Sequence, residues 1–171
     1  MKKYDVIIAG ASFAGLSVAS KLNGNVLLID RKEIGTNVTS ACGTIVNLMK
    51  EIKCEKSILQ TFTKATLHTK DDKIIIPLPE KYCTIDYFKF CRLLNKQNNA
   101  KFLKAIVKGV QGKKVITDKG NFEADIIVDC TGWQAVLASS LKKDYVNKKM
   151  MSFGIETEIP YKKDNKLRFF L

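Results

Sequence analysis

Apolar residues near the N-terminus come in short unbroken runs, and then the period changes. Val6-Ile7-Ile8-Ala9 is continuous and β-branched, the pattern of a strand buried on both faces. Gly10 ends it. From there apolar positions recur every fourth residue, at Ala14, Val18 and Leu22, as along one face of a helix. Asn23-Gly24-Asn25 stops that helix, with Gly24 suited to the left-handed position beyond a helix end. Val26-Leu27-Leu28-Ile29 is a second buried strand, closed by Asp30. Together these predict a β-α-β unit.

Beyond Asp30 the pattern loosens. Arg31 to Met49 is polar and holds Gly35 and Gly43, which reads as loop with a short helix near Val46. Ala65 to Thr69 and Lys73 to Ile76 flank the polar turn Lys70-Asp71-Asp72, a hairpin whose second strand is expected to end at Pro77 and Pro79. Tyr87, Phe90, Cys91 and Leu94 fall at helical spacing, with Thr84 or Asp86 as cap. Phe102 to Val107 reads as one strand. Lys113 to Thr117 and Asn121 to Glu123 form a second hairpin, with Gly120 at a positive φ. Asp125-Ile126-Ile127-Val128-Asp129 is a late buried strand that turns out through Cys130-Thr131-Gly132, and Trp133 to Leu141 is helical. In the tail, Ser152 to Glu158 and Leu167 to Leu171 read as strands. A terminal apolar strand exposes an edge, so the expectation is a truncated chain, or one half of a split protein whose partner chain supplies a C-terminal half.

Composition narrows the class. The chain has 171 residues, 46% hydrophobic and 27% charged, ordinary for a globular domain. A net charge of +12 invites anionic partners. The lysines are spread in doublets such as Lys113-Lys114 and Lys148-Lys149, and no nucleic-acid motif accompanies them, so a solvated basic surface is expected and no nucleic-acid partner. The five cysteines lack any C-x-x-C pair and are widely spaced, which predicts reduced thiols in a cytoplasm and no metal site. Met1-Lys2-Lys3 before an apolar run has the look of a secretory leader. Asp5, Gly10 and Gly15 instead favour the strand–turn–helix reading.

The chemistry is concentrated in Gly10-Ala11-Ser12-Phe13-Ala14-Gly15, which sits between a strand and a helix and follows the G-x-G-x-x-G template of dinucleotide binding. The first glycine allows the tight turn and the last lets the helix pack closely, while helix N–H groups face a pyrophosphate. Ser12 replaces the middle glycine. Its Cβ reduces clearance and its hydroxyl offers a further phosphate contact. Asp30, about twenty residues on, is placed to accept ribose hydroxyls and to repel a 2′-phosphate, which disfavours NADP.

A second segment, Ala124 to Gly132, resembles the "A-D-x-V-V-D-A-T-G" strand of the flavoprotein superfamily that includes geranylgeranyl reductases, lycopene cyclases and aromatic-ring hydroxylases. Asp30-Arg31-Lys32-Glu33-Ile34-Gly35 followed by Cys42-Gly43 is most similar to the geranylgeranyl reductases. Thr84-Ile85-Asp86 with Phe90, and Phe153-Gly154-Ile155-Glu156 with Ile159-Pro160, resemble further stretches of that group. Two residues depart from the pattern: Ser12, and Tyr87 where the family has Arg. A third family motif, a Gly-Asp segment, has no counterpart within the 171 residues, so the resemblance implies poor FAD affinity for this chain alone.

The resemblance implies an α/β fold: a Rossmann-like FAD-binding domain over residues 1–150, with a central parallel sheet and a β-hairpin excursion. Residues 151–171 would then begin an antiparallel substrate-binding sheet. It implies FAD held by Gly10, Ser12, Phe13, Ala14, Gly15, Asp30, Arg31, Cys42, Gly43, Val107, Thr131 and Gly132. Val107 would lie against adenine and Thr131 and Gly132 beneath the cofactor, with Cys42 near the flavin as the one candidate for a chemical role. Cys42 also reads as a small residue in a tight loop, and Cys54, Cys83, Cys91 and Cys130 as packing residues. His68 reads as an exposed strand residue. The implied activity is an FAD-dependent oxidoreductase, a geranylgeranyl reductase-like enzyme hydrogenating isoprenoid chains. Its isoprenoid or other small-molecule substrate would be held near an anionic membrane by peripheral association. A related flavin hydroxylase, and a fragment inactive alone, are the competing readings.

Overall fold

In the computed structural model the described residues are 3–38, 42–152, 154 and 166–170. In chain order the elements are β1 (Lys3–Ala9), α1 (Phe13–Ala19), β2 (Val26–Asp30), β3 (Gly43–Ile45), α2 (Val46–Glu51), β4 (Ile58–His68), β5 (Lys73–Ile85) and α3 (Tyr87–Asn95). There follow β6 (Lys101–Lys104), β7 (Val107–Gln111), β8 (Lys114–Thr117), β9 (Gly120–Asp129), α4 (Val136–Leu141) and β10 (Leu167–Phe170). The chain divides into two compact units, residues 1–38 with 91–153, and residues 39–90 with 154–171.

The first unit is built on one six-stranded sheet in the order β6-β2-β1-β9-β8-β7. β6, β2, β1 and β9 are mutually parallel, and β8 and β7 continue antiparallel as a meander. β9 serves both parts: Gly120 to Glu123 pair with β8, and Glu123 to Asp129 pair with β1. β6 and β7 stand at opposite ends of the order yet are joined by only Ala105 and Ile106. The sheet therefore curls back over itself. Its inner face buries Tyr4, Ile7, Leu27, Ile29, Val115, Ala124 and, from α4, Leu137. On the other face α1 covers Ile8, and Leu16 and Leu28 are fully buried. Burying a Leu or Ile side chain stabilises by roughly 1.5–3 kcal/mol, so double-sided burial is what holds the parallel strands.

Several expectations are corrected here. α1 buries Gly15, Leu16 and Ala19, while Ala14 is exposed and Val18 and Leu22 are half-buried. Gly15 must face the turn, and that rotates the helix away from the Ala14 stripe. The helix ends at Ala19, with Ser20 Oγ donating to Ser17 O at 2.8 Å. Gly24, at φ +106°, instead turns the chain into β2, where Asp5 accepts from Asn25 N at 2.8 Å. The run from Phe102 to Val107 is two strands, because Ala105 N bonds Asp30 O at 2.8 Å and Ile106 N bonds the Asp118 carboxylate at 2.7 Å. The two short runs 121–123 and 125–129 are one strand. Ile126 within it is 59% exposed, so this strand is not buried throughout. Gly120 takes the expected positive φ of +108°.

The second unit is a four-stranded sheet in the order β10-β4-β5-β3, with β4 and β5 a long hairpin. The prolines do not end β5, which runs on to Ile85. Pro77 pairs with Lys64, Pro79 falls where the register breaks between Phe62 and Lys64, and β3 pairs only with Tyr82 to Thr84. Proline is tolerated where no partner requires its N–H. α2 forms at Val46 as expected, burying Val46 and Met49. The expected periodic face of α3 is buried at Tyr87, Phe90, Cys91 and Leu94, and Asp86 caps the helix by accepting from Lys89 N at 2.9 Å. Of the tail, Leu167–Phe170 is β10, parallel to β4. The segments around Phe153, Ile155-Glu156 and Ile159-Pro160 lie outside the described residues.

Candidate functional site

The four parallel strands of the first unit bring four chain turns to their shared carboxyl end. These are Gly10-Ala11-Ser12 after β1, Asp30-Arg31 after β2, Ala105-Ile106 after β6 and Cys130-Thr131-Gly132 after β9. β1 lies between β2 and β9, so the chain leaves it in both directions across the sheet. That is the switch point at which open α/β sheets bind ligands.

Gly10 fixes the first and last of these turns against each other. Its φ is +102°, and a Cβ there would run into the carbonyl of Cys130. Cys130 N donates to Ala9 O and Gly10 N to Ile29 O, both at 2.7 Å. Gly15 fixes the helix: a Cβ there would strike the Gly10 carbonyl. The first and last positions of the glycine motif are therefore required by contact. Ser12 caps α1 with extended backbone and makes no side-chain bond to it. The first-turn amides of an α-helix have no intrahelical acceptor, so the N-terminal turn of α1 presents donors at this edge. Phe13 and Ala14 are both exposed there.

Asp30 ties the second turn to the first. Its Oδ2 accepts from Ala11 N at 2.7 Å and its Oδ1 from Lys32 N at 2.8 Å. A carboxylate has about four lone-pair positions, so each oxygen keeps one for an outside donor. Arg31 beside it is exposed. Val107 begins β7, one residue beyond the Ala105-Ile106 link that Asp30 O and Asp118 hold in place. Gly132, at φ +74°, borders open space.

One organising residue carried no sequence expectation. Asp129 Oδ1 accepts from Thr131 N at 3.0 Å and Thr131 Oγ1 at 2.6 Å, and Oδ2 accepts from Leu137 N at 2.9 Å and Ala138 N at 3.0 Å. Thr131 Oγ1 in turn accepts from Val136 N at 2.7 Å. Burial would raise this carboxyl, but the Thr131 hydroxyl and the Ala138, Thr131 and Leu137 amides outweigh it and hold Asp129 below the usual carboxylate range. The signal in the sequence is an Asp two residues before a Thr at a strand end, the spacing of an Asx turn. Burial and the Asp129 charge push the Cys130 thiol up, so it is held protonated.

Cys42 and Gly43 belong to the second unit. Cys42 O accepts from Ile85 N at 2.9 Å, and the space beside Gly43 is taken by the Tyr82 hydroxyl. Cys54, Cys83 and Cys91 are fully buried, as expected of packing residues. His68 is half-buried, not exposed. Its ring stacks on Phe170 at 4.7 Å, which withdraws it from solvent. Among the described residues no group of His, Cys, Asp and Glu could hold a metal ion, and no helix is long and apolar enough to cross a membrane.

No protein-family model matches the sequence, and no curated protein matches it. Solved structures do match in shape. A geranylgeranyl bacteriochlorophyll reductase-like protein from Thermoplasma acidophilum superposes over 100% of this chain and 51% of its own, with a TM-score of 0.78 at 16% identity. The myxobacterial chondrochloren halogenase, an FAD-dependent halogenase, covers 82% of this chain and 40% of its own, with a TM-score of 0.67 at 12% identity. A flavin-dependent brominase covers 77% and 38%, with a TM-score of 0.63 at 13% identity. The chain thus spans about half the length of the first of these and less of the others. The fold is the Rossmann-like α/β fold of these proteins.

Proposed function

We propose that this chain binds FAD and is the cofactor-holding part of a flavin-dependent oxidoreductase. The observation that carries the reading is the Gly10 turn closing on the Cys130 carbonyl at the carboxyl ends of adjacent parallel strands, with Asp30 beside it. The space a Cβ would fill at Gly10 and Gly15 is taken by backbone, which fits a turn shaped for a pyrophosphate. In this reading the first-turn amides of α1 and the Ser12 hydroxyl meet the phosphates. The unused lone pairs of Asp30 accept ribose hydroxyls, and its charge opposes a 2′-phosphate. Val107 backs the adenine, and Thr131 and Gly132 support the cofactor from below. FAD supplies hydride transfer when bound, while the protein supplies orientation and electrostatics.

The finer reading is a geranylgeranyl reductase-like enzyme that hydrogenates isoprenoid chains. The segment from Asp30 to Gly43 and the superposition of this chain on half of the reductase-like protein support it. In it residues 1–150 serve the cofactor and 151–171 begin the substrate sheet, with Cys42 near the flavin. The protein works in the cytoplasm, at the surface of an anionic membrane, with a further segment or partner chain completing the fold. A flavin hydroxylase or halogenase activity is the second reading, favoured by the halogenases among the structural matches.

The test is the visible spectrum of the purified protein, desalted after incubation with FAD. Retained flavin absorbance supports the cofactor reading. A protein that stays colourless, also when joined to a C-terminal half, and that binds NAD instead would sink it.

A further inference from the structure

Asp30 and Asp129 end neighbouring strands on either side of β1, and their acceptor capacity separates them. Each oxygen of Asp30 takes one donor, whereas each oxygen of Asp129 takes two. With about four lone-pair positions per carboxylate, Asp129 is saturated by its own chain and has nothing left to offer a ligand. What it holds is specific: the amide and hydroxyl of Thr131 and the first turn of α4. Between them lie Gly132 at φ +74° and Ala135 at φ +40°, a left-handed position that a residue with a Cβ occupies only when its surroundings impose it. The turn so held is the one whose Cys130 carbonyl closes on Gly10. With its N-terminal amides already bonded to Asp129, α4 also presents no competing anion site at this edge.

From this we propose that Asp129 is a positioning residue: by clamping Thr131 and the start of α4 it holds the Cys130–Gly132 turn in the place from which it supports the cofactor. The inference rests on the FAD reading for the ligand, but the clamp itself does not.

The experiment uses the whole chain and three variants, Asp129→Asn, Thr131→Val and Thr131→Ser. Two quantities are read: the FAD dissociation constant by quenching of flavin fluorescence, and hydrogen exchange of the amides of Thr131, Val136, Leu137 and Ala138 without cofactor. Asn keeps one acceptor oxygen and turns an amide toward donors, so Asp129→Asn should weaken FAD at least tenfold and speed exchange at Leu137 and Ala138. Thr131→Val removes the hydroxyl that joins Asp129 to Val136, and should weaken FAD severalfold. Thr131→Ser restores the hydroxyl and should restore both readings, a rescue that lost packing alone would not give. If Asp129→Asn does not fold, the Thr131 pair carries the test. FAD binding unchanged in Asp129→Asn, or in Thr131→Val, overturns the inference and leaves the FAD reading standing. A wild-type protein that takes no FAD, also when joined to a C-terminal half, and that binds NAD instead defeats the FAD reading and with it the role in affinity. Amides that exchange equally in all variants defeat the clamp on its own terms.

Discussion

Replacing Gly10 with Ala tests the closest backbone approach in the site. Two costs add. At φ +102° an L-residue is strained, by about 1–2 kcal/mol. The new Cβ would also overlap the Cys130 carbonyl, which is main chain and cannot swing aside as a side chain does. Forcing a methyl into such a contact costs about 1–3 kcal/mol more, because the hydrogen bond from Cys130 N to Ala9 O must lengthen as the strands part. Gly120 is the internal control, with φ +108° and nothing within 4 Å of an added Cβ, so Gly120→Ala carries the strain alone. The expected loss is then about 2–5 kcal/mol for Gly10→Ala and about 1–2 kcal/mol for Gly120→Ala. At roughly 2–4 °C per kcal/mol for a chain this long, Gly10→Ala should melt near 10 °C lower. Trp133 is the sole tryptophan and lies in the first unit, so its fluorescence during urea unfolding reports the unit concerned. If Gly10→Ala proves no more destabilising than Gly120→Ala, the turn is not closed against Cys130, and the geometry proposed for the pyrophosphate fails with it.

Other perturbations have equally definite outcomes. Leu16→Ala empties a fully buried position between α1 and the sheet and should cost about 2–5 kcal/mol in urea unfolding; a loss under 1 kcal/mol would mean the helix does not pack there. Asp30→Ala removes the acceptor for Ala11 N and Lys32 N together with the proposed ribose contact, so FAD titration should show at least a tenfold weaker complex, and unchanged affinity would remove Asp30 from the proposed site. Since Asp129 is depressed in the folded protein, its contribution is complete above the unfolded carboxyl value of about 3.9 and is lost as pH falls through the lower folded value. Melting temperatures taken from pH 6 to pH 2 should therefore drop more steeply below about pH 4 in the wild type than in Asp129→Asn, and parallel curves would contradict the sign. Burial holds the Cys83 thiol up, a backbone hydrogen bond with Thr44 only partly offsetting it, and burial with the Asp129 charge does the same at Cys130. Both should resist iodoacetamide at pH 8 until the chain is unfolded, as mapped by mass spectrometry, and rapid native labelling of either would refute the placement.

The difference between Asp30 and Asp129 also shows where a sequence stops being legible. The β-α-β unit could be read because each part carries its own local signal: a continuous apolar strand, a glycine turn, and an acid at the right interval. The stripe of α1 was misread because Ala14, Val18 and Leu22 and the observed Gly15, Leu16 and Ala19 are both plausible helical spacings. What decides between them is that Gly15 must meet the Gly10 carbonyl, a contact across the turn. The run from Phe102 to Val107 hides a strand break for a similar reason, since the interruption is made by Asp30 and Asp118, distant in the chain. Asp129 is the extreme case. By residue type and by position at a strand end it is as good a ligand candidate as Asp30, and a reading by type would assign the two alike. They part only on the number of donors already aimed at each carboxylate, which depends on where α4 begins and on a left-handed residue at Ala135. In the proposed reading, the acid with spare acceptors meets the ligand and the saturated one builds the wall beside it. Thr131 spends its single hydroxyl proton on Asp129 while accepting from Val136, so it has no donor left for a phosphate or carbonyl oxygen, and its side chain braces the wall. The contribution proposed for it to a cofactor then comes through the backbone of the turn, which is why Thr131→Ser should be silent where Thr131→Val is not.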